Sequence, residues 1–373
     1  MKVKLVTTYP PTNCGIAVYS RHYAEALKKL CDISVLPIVR PKANPLYFVR
    51  LALDARKSDV VHVQYDCGFF GTVSAGKLSL SGMYTPLFYL LVSAFGGPAI
   101  VTTVHELQDA KENYGGRWLY WPMHLYYAAV YKAMAALSDA VIVHTAGTVE
   151  TLSQYTKVPR AITIPLAIHV RPTIQPTEAS KAKLGLSGKR VIVMFGFVSP
   201  AKGHDLAVAV LRELPDDVVL YIAGDARTAE DIEYLRGLQE KVKSEGLDHR
   251  VIFHGYVKDE DAPAVMSAAD VVLMPYRHVV QSAALSNALA YLKPVLASDI
   301  GGFAEVAREY GCIETFPAGD AEALKAKLLL MLSGRAPLDK LRENAARYVT
   351  AMSLENIAAR TVSLYRQLGG PEE

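Results

Sequence analysis

Cysteine is scarce in this chain of 373 residues: there are four, Cys14, Cys31, Cys67 and Cys312, with no CxxC pair and no Cys/His ligand spacing. That excludes a disulfide-stapled miniprotein and a sequence-encoded zinc site, and the scattered thiols fit a reducing compartment. Long hydrophobic runs are missing too. The longest mostly apolar stretch, residues 83–96, falls well short of the about 20 residues that a membrane-spanning helix needs. The opening Met1-Lys2-Val3-Lys4 runs directly into a strand pattern with no apolar h-region or cleavage site, so a secretory signal is not expected and the reading is a cytoplasmic protein, soluble or peripheral to a membrane. No repeat of about 20–50 residues is visible, which argues against a solenoid. Neither the GxGxxG spacing of dinucleotide folds nor a P-loop Lys-Ser/Thr occurs, so a nicotinamide dehydrogenase and a P-loop kinase both lose support.

What is present describes a globular chain. Hydrophobic residues make up 51% and charged residues 21%, with 25 Gly and 20 Pro, which excludes disordered, collagenous and low-complexity classes. At about 150 residues per domain the length predicts two domains or one large one. The net charge of +3 is unevenly spread. Residues 1–175 hold 17 of the 40 Lys and Arg and 10 of the 37 Asp and Glu, a balance of +7, and the remainder carries −4. The positive half points to an anionic partner such as a phosphate-bearing ligand or a lipid surface.

Short β-branched runs alternate with helical patterns, as expected of parallel sheets with crossover helices. Strands are predicted at 2–8, 33–37, 60–64, 99–104, 140–144 and 161–164, with a first helix over 15–30. The rhythm restarts after the polar, Pro-containing stretch 169–180, with strands at 190–195, 218–223, 251–254, 271–274 and 295–298. Two βα domains joined by a linker near 170–180 is the economical reading. The last segment, 336–368, has helical periodicity, and the pattern does not assign it to either domain.

At the first βα junction, Tyr9-Pro10-Pro11-Thr12-Asn13-Cys14-Gly15-Ile16-Ala17, Gly15 opens a helix at the carboxyl end of a strand, where free backbone N–H groups suit a phosphate. A lone glycine there serves a tight turn equally well. In the second half, strand 191–195 gives way to Gly196-Phe197-Val198-Ser199-Pro200-Ala201-Lys202-Gly203-His204-Asp205, followed later by Tyr221-Ile222-Ala223-Gly224-Asp225. The succession FGF..AKGHDLAVAV, YIAGD, VIFHGYVKDEDAPAVMSAADVVLMPY and KPVLASDIGGFAEV resembles the nucleotide-sugar domain of glycosyltransferase family 4, retaining transferases of GT-B architecture. The opening YPPTNCGIAVYSRHYAEAL resembles the start of that family's acceptor domain, and the likeness extends from residue 1 to about residue 333.

The resemblance implies an α/β GT-B fold: two Rossmann-like parallel-sheet domains facing across a cleft, with the C-terminal helix crossing back to the first. The acceptor domain would span 1–172 together with the helix at about 351–373, and the nucleotide-sugar domain 173–350. The implied activity is transfer of a sugar from a UDP- or GDP-linked donor to a glycan, lipid-linked or small-molecule acceptor, with retention at the anomeric carbon. With the +7 balance, that acceptor is expected to be anionic. No cofactor beyond the donor, no metal and no nucleic-acid partner is expected.

Residue by residue, Lys202 matches the family lysine that neutralises the departing diphosphate. The family's neighbouring Arg is replaced by Phe197, beside Gly196. Its two glutamates, counted back from Pro294, are replaced by Val279 and Asn287. The helix start Gln281-Ser282-Ala283 would still offer backbone N–H groups and the Ser282 hydroxyl to the diphosphate, with an ordinary capped helix as the competing reading. Asn287 can hydrogen-bond a ribose hydroxyl as donor or acceptor. His105, in Thr103-Val104-His105-Glu106, matches the family histidine near the reacting sugar. His62 is the next candidate, and His144 is read as structural or at the rim. Tyr256 and Val257 lie in the loop that contacts the base, and Glu305 stands either as a ligand or as a helix cap. Asp259-Glu260-Asp261 imitates a metal-binding DxD, but its place before a helix favours an N-terminal cap.

Two alternatives stay open. A nucleotide-sugar-binding or scaffold protein could keep the fold without transfer, and a GT-B epimerase would want cleft carboxylates. The aromatic segment 114–137, with Trp118, Tyr120, Trp121, Tyr126, Tyr127 and Tyr131 beside Arg117 and Lys132, fits either core packing or the interfacial zone of a membrane.

Overall fold

The alternating pattern resolves into two parallel six-stranded sheets, each in its own compact unit, in a computed structural model that describes residues 1–12, 14–39, 44–75, 78–114, 118–158, 160–168, 172–279 and 282–369. One unit is Met1–His169 with Met352–Glu373, and the other is Val170–Ala351.

The first unit runs β1 (Lys2–Thr7), α1 (Gly15–Lys28), β2 (Asp32–Pro37), α2 (Pro45–Ala55), β3 (Val60–Asp66), the antiparallel hairpin β4 (Thr72–Ala75) and β5 (Leu78–Ser81), then α3 (Thr85–Ser93). It continues with β6 (Ala99–Glu106), α4 (Ala110–Tyr114), α5 (Tyr120–Ala136), β7 (Ala140–Val143), α6 (Ala146–Ser153) and β8 (Ala161–Thr163). The strand order is β2-β1-β3-β6-β7-β8. Helix cover on both faces explains why β7 reads as an unbroken apolar run and why β3 is buried through Tyr65 although it carries the polar His62 and Gln64.

The second unit begins with α7 (Thr177–Lys183), which starts within the stretch expected to be a linker and runs past it, and α7 packs on the later helix α10 (Ala262–Ala268). Between them lie β9 (Arg190–Phe195), α8 (His204–Leu211), β10 (Val218–Ala223), α9 (Ala229–Ser244) and β11 (Val251–Phe253). After α10 come β12 (Val271–Met274), α11 (Ala283–Ala290), β13 (Val295–Ser298), α12 (Gly301–Tyr310), β14 (Glu314–Phe316), α13 (Ala321–Leu332) and α14 (Leu338–Ala351). The order is β11-β10-β9-β12-β13-β14. Strand β14 is not anticipated from the pattern; it is three residues long and only Phe316 in it is buried.

The unassigned C-terminal pattern splits into α14, in the second unit, and α15 (Leu354–Gly369), in the first. Helix α15 packs along α1, burying Ile357, Ala358, Val362 and Tyr365, and Tyr23 donates from Oη to Thr361 Oγ1 at 2.6 Å. Ile168 N also donates to Met352 O at 2.7 Å. The C-terminal helix therefore returns to the first unit.

The aromatic segment divides by side chain. Met123, Tyr127, Val130, Tyr131 and Met134 of α5 are buried, whereas Trp118 and Trp121 are 84% and 67% exposed. Among the described residues no helix is long and apolar enough to cross a membrane.

Candidate functional site

In open α/β sheets ligands gather beyond the carboxyl ends of the strands where the strand order reverses. In the second unit that point lies between β9, which leads out to β10, and β12, which starts the opposite half. The loops leaving those two strands carry Gly196, Lys202 and Ser282, residues expected at an anion site.

The loop after β9 turns through Gly196, at φ +104°, into a short 3-10 turn, Pro200–Lys202, and then into α8. Gly203 is required at that junction: its φ is +67° and a Cβ there would lie 2.1 Å from Pro275 O, in the loop after β12. Arg277 closes the same seam. Its backbone N donates to Ala201 O at 2.8 Å, and its guanidinium grips Asp205 at 3.0 and 2.6 Å. Tyr234 Oη donates to the same Asp205 carboxylate at 2.7 Å.

Lys202 is half-buried. Its Nζ lies 5.5 Å from the ring centroid of Tyr276 and 5.9 Å from that of Phe197, and among the described residues it has no hydrogen-bond or ion-pair partner. Burial lowers its pKa from the ordinary lysine value to about 8, with Asp231 opposing weakly. An ammonium held back from water without a carboxylate is an incomplete electrostatic arrangement, which an anionic ligand would complete. A Cβ on Gly196 would sit 3.0 Å from Lys202 Nζ and 4.0 Å from Ala284 Cβ, so Gly196, Lys202 and the first turn of α11 converge.

Ser282 is the N-cap of α11: its Oγ accepts from Leu285 N at 3.2 Å, and Tyr276 also bonds to its side chain. That hydroxyl has a structural job, and Ala283 is the first helical residue. Gln281 lies outside the described residues. Asn287 is half-buried in the second turn of α11. Tyr256 is 68% exposed, and Tyr256 and Val257 follow β11, at the edge of the sheet and two strands from β9. Glu305 is the fifth residue of α12, whose N-cap is Ile300, so the cap reading of Glu305 does not hold. Asp261 does occupy the N-cap of α10, but its side chain makes no cap hydrogen bond. Among the described residues no three His, Cys, Asp or Glu side chains are arranged to hold a metal ion.

In the first unit the strand order reverses between β1 and β3. Cys14 caps α1, its Sγ accepting from Ala17 N at 3.3 Å, and Gly15 is exposed with open space where a Cβ would stand. One turn on, Tyr19 meets His105 edge to face at 5.8 Å. His105 is one member of a hydrogen-bonded chain. Its Nε2 lies 2.6 Å from Gln64 Oε1, Gln64 Nε2 lies 3.0 Å from His62 Nε2, and His62 Nδ1 bonds to Tyr365 Oη on α15. Thr103 Oγ1 also reaches His62 Nε2, at 2.7 Å. On the other side His144 Nε2 lies 3.4 Å from His105 Nδ1, and His144 Nδ1 donates to Ile164 O at 2.8 Å.

Burial holds all three rings neutral. It depresses His62 to about 3 and His144 to about 4, and it lowers His105 well below the usual histidine value, with His144 and His62 adding to the shift in His105. Because a carbonyl only accepts, His144 carries its proton on Nδ1, and His105, which donates from Nε2 to Gln64 Oε1, turns an unprotonated Nδ1 toward His144 Nε2, so the two rings are in packing contact rather than hydrogen-bonded. Gln64, between His62 and His105, then decides which nitrogen of each ring is protonated. The sequence reading treats His144 as structural or at the rim and does not single out Gln64, Tyr276 or Arg227. For Arg227 one signal was available, a cation set just before the N-cap of a helix, the end at which positive charge is disfavoured.

Residues 176–348, just under half of the chain, match the family model described as glycosyl transferases group 1. The 2-deoxystreptamine glucosyltransferase of Streptomyces kanamyceticus is 27% identical over 201 residues, 52% of this chain and 50% of that protein. The alpha-maltose-1-phosphate synthase of Mycolicibacterium smegmatis is 26% identical over 99% of this chain and 100% of its own length. Over five other alignments and the first of these, the chain spans only 28 to 57% of the curated relative's length. Among solved structures, Anabaena Alr3699/HepE in complex with UDP superposes with a TM-score of 0.75 at 17% identity, covering 99% of this chain and 100% of that one. Residues 176–348 are thus a glycosyl transferases group 1 domain, and the chain, with its two parallel sheets and returning C-terminal helix, has the GT-B fold.

Proposed function

We propose that the chain is a retaining glycosyltransferase that moves a sugar from a nucleoside-diphosphate sugar to a glycan, lipid-linked or small-molecule acceptor. The observation that carries this reading is Lys202: a half-buried ammonium without a carboxylate, at the strand-order reversal of the second sheet and beside the first turn of α11. A departing nucleoside diphosphate is the anion that such a cation and helix start would stabilise, and stabilisation of that leaving group is what lowers the barrier to transfer. UDP is the first base to try, because Anabaena Alr3699/HepE, which has the same fold, was solved with UDP and with UDP-glucose.

In this reading Gly196, Lys202 and the Ser282–Ala283 helix start hold the diphosphate, with Gln281 beside them. Tyr256 and Val257 flank the base, and Asn287 and Glu305 face the donor's sugars. His105 stands near the reacting sugar, its ring held by the bond to Gln64 and packed against His144. Gly15, open above its helix start, leaves room for an acceptor that carries negative charge. The exposed Trp118, Trp121 and Leu125, with Lys132 further along α5, support peripheral contact with an anionic bilayer.

Calorimetric titration with UDP-glucose and GDP-mannose, followed by assays of donor hydrolysis and of transfer to a panel of acceptors, tests the reading. Binding with transfer or slow hydrolysis is the expected result. Binding without turnover would favour a silent nucleotide-sugar-binding protein, an outcome that Val279 and Asn287 in the place of carboxylates keeps in view. Binding of neither donor would overturn the donor assignment.

A further inference from the structure

We propose that Arg227, stacked on the ring of Phe197, is the second cation that grips the donor diphosphate opposite Lys202. The proposal rests on the donor reading above and adds to it a residue on a different loop.

Backbone pairing brings that loop into place. The β9–β10 pairing continues beyond both strands, with Gly196 N donating to Ala223 O at 2.9 Å and Val198 N to Asp225 O at 3.0 Å. This approach needs Gly224, because a Cβ there would lie 1.9 Å from Gly196 O. Phe197 stands between the two bonded residues and is 44% exposed, a large apolar ring that the fold does not bury. Arg227, two residues past Asp225, lays its guanidinium over that ring, with Cζ 4.3 Å from the centroid. Cation–ring contact at this distance is favourable and leaves the edge N–H groups of the guanidinium free to donate.

Lys202 Nζ lies 5.9 Å from the same centroid. The two charges are therefore no more than about 10 Å apart, the two centroid distances laid end to end. A separation of at most that size is one that a single diphosphate, taking a charge-assisted N–H···O bond of about 2.8 Å from each cation, can bridge.

The other candidate cation is already engaged. Arg277 holds both of its terminal nitrogens on Asp205 and one of them also on Pro200 O. Arg227, by contrast, is exposed, and the acidic group that responds to its charge is Asp231, whose carboxylate mainly serves the capping box with Thr228. Arg227 immediately precedes the N-cap of α9, where the helix macrodipole opposes positive charge and Asp231 offsets it in part. Phe197 thus acts as a platform that presents a guanidinium from a neighbouring loop.

The test uses the full chain with UDP, GDP, inorganic pyrophosphate and the free nucleosides, titrated calorimetrically into wild type, Arg227→Ala, Arg227→Lys, Phe197→Leu and Lys202→Ala. Arg227→Ala is expected to weaken the bound nucleoside diphosphate and pyrophosphate about tenfold, to leave nucleoside affinity unchanged and to flatten the dependence of affinity on salt. Arg227→Lys should recover part of the loss, and Phe197→Leu should lose part of it. Thermal midpoints within about 2 °C of wild type would show that the fold is intact. Diphosphate affinity within twofold of wild type in Arg227→Ala, while Lys202→Ala weakens it, would overturn the role of Arg227 and leave the donor reading standing. An equal loss for nucleoside and diphosphate would also overturn it, since Arg227 would then serve the base or ribose. No binding of UDP, GDP or pyrophosphate by wild type would overturn both.

Discussion

His62 and Tyr365, 303 residues apart in the chain, are hydrogen-bonded through Nδ1 and Oη, both in the buried interior of the first unit. The bond ties β3 to α15 and anchors one end of the chain of groups that reaches His105. Tyr365→Phe keeps the ring packing and leaves His62 Nδ1 without its partner. The expected cost is about 1–3 kcal/mol, because a buried polar group left unmatched forfeits its desolvation energy. Urea unfolding checks this, and an unchanged midpoint would mean that the bond contributes nothing.

Acid should destabilise the first unit early. His62, His105 and His144 bind protons more weakly folded than free, so the unfolded chain takes up protons first as pH falls below about 6.5. Stability is then full above about 6.5 and is lost as pH falls toward the depressed folded values, at up to about 1.4 kcal/mol per pH unit for each ring. Unfolding free energies measured at pH 7, 6 and 5 should fall with a multi-proton slope, and His144→Asn should make that slope shallower by about one proton. A flat profile would contradict the burial of the three rings.

Diphosphate binding should weaken in alkali. With Lys202 depressed to about 8 in the free protein, its amine is charged below that pH and neutral above it. UDP or GDP affinity is expected to fall as pH rises from 7 to 9, while nucleoside affinity stays level. Lys202→Ala should weaken the diphosphate by about tenfold or more at pH 7 and remove this pH dependence. An unchanged affinity would take Lys202 out of the site.

Two glycine substitutions should behave oppositely. Gly203→Ala forces a Cβ to 2.1 Å from Pro275 O at a left-handed φ, so a loss of about 1–3 kcal/mol and displacement of Lys202 are expected. Gly15→Ala meets open space at an ordinary φ and should leave stability within about 1 kcal/mol of wild type. If Gly15 faces a ligand, the same change lowers turnover without moving the thermal midpoint. Equal turnover would make Gly15 a turn residue only.

Sedimentation with vesicles containing anionic lipid tests the exposed face of α5. Wild type should co-sediment at low salt, and Trp118→Ser with Trp121→Ser should stay in the supernatant with its fold unchanged, because both indoles are exposed and carry little of the core. Wild type remaining wholly in the supernatant would end the membrane reading.

Much of the architecture was legible because buried parallel strands announce themselves. β9, β10, β12 and β13 are uninterrupted apolar runs bounded by turns, and their limits in the structure coincide with those read from the pattern. β14 escaped because three residues with one buried side chain carry no period, and α7 escaped because a polar, Pro-flanked stretch also reads as a linker. In the aromatic segment, composition gives no direction to a side chain. Only packing against β3 and its neighbours sent Tyr127 and Tyr131 inward and left Trp118 and Trp121 outside.

By itself the sequence determined the βα rhythm, the restart near residue 175 and the motif that carries Lys202, since each depends on residues close together in the chain. Tertiary structure alone decided that α15 lies along α1, that Gln64 joins His62 to His105, and that Arg227 lies on Phe197. Those relationships depend on strand order and on loops meeting beyond the strand ends. Hydrophobic burial of distant segments sets both, and no local pattern of residues records them.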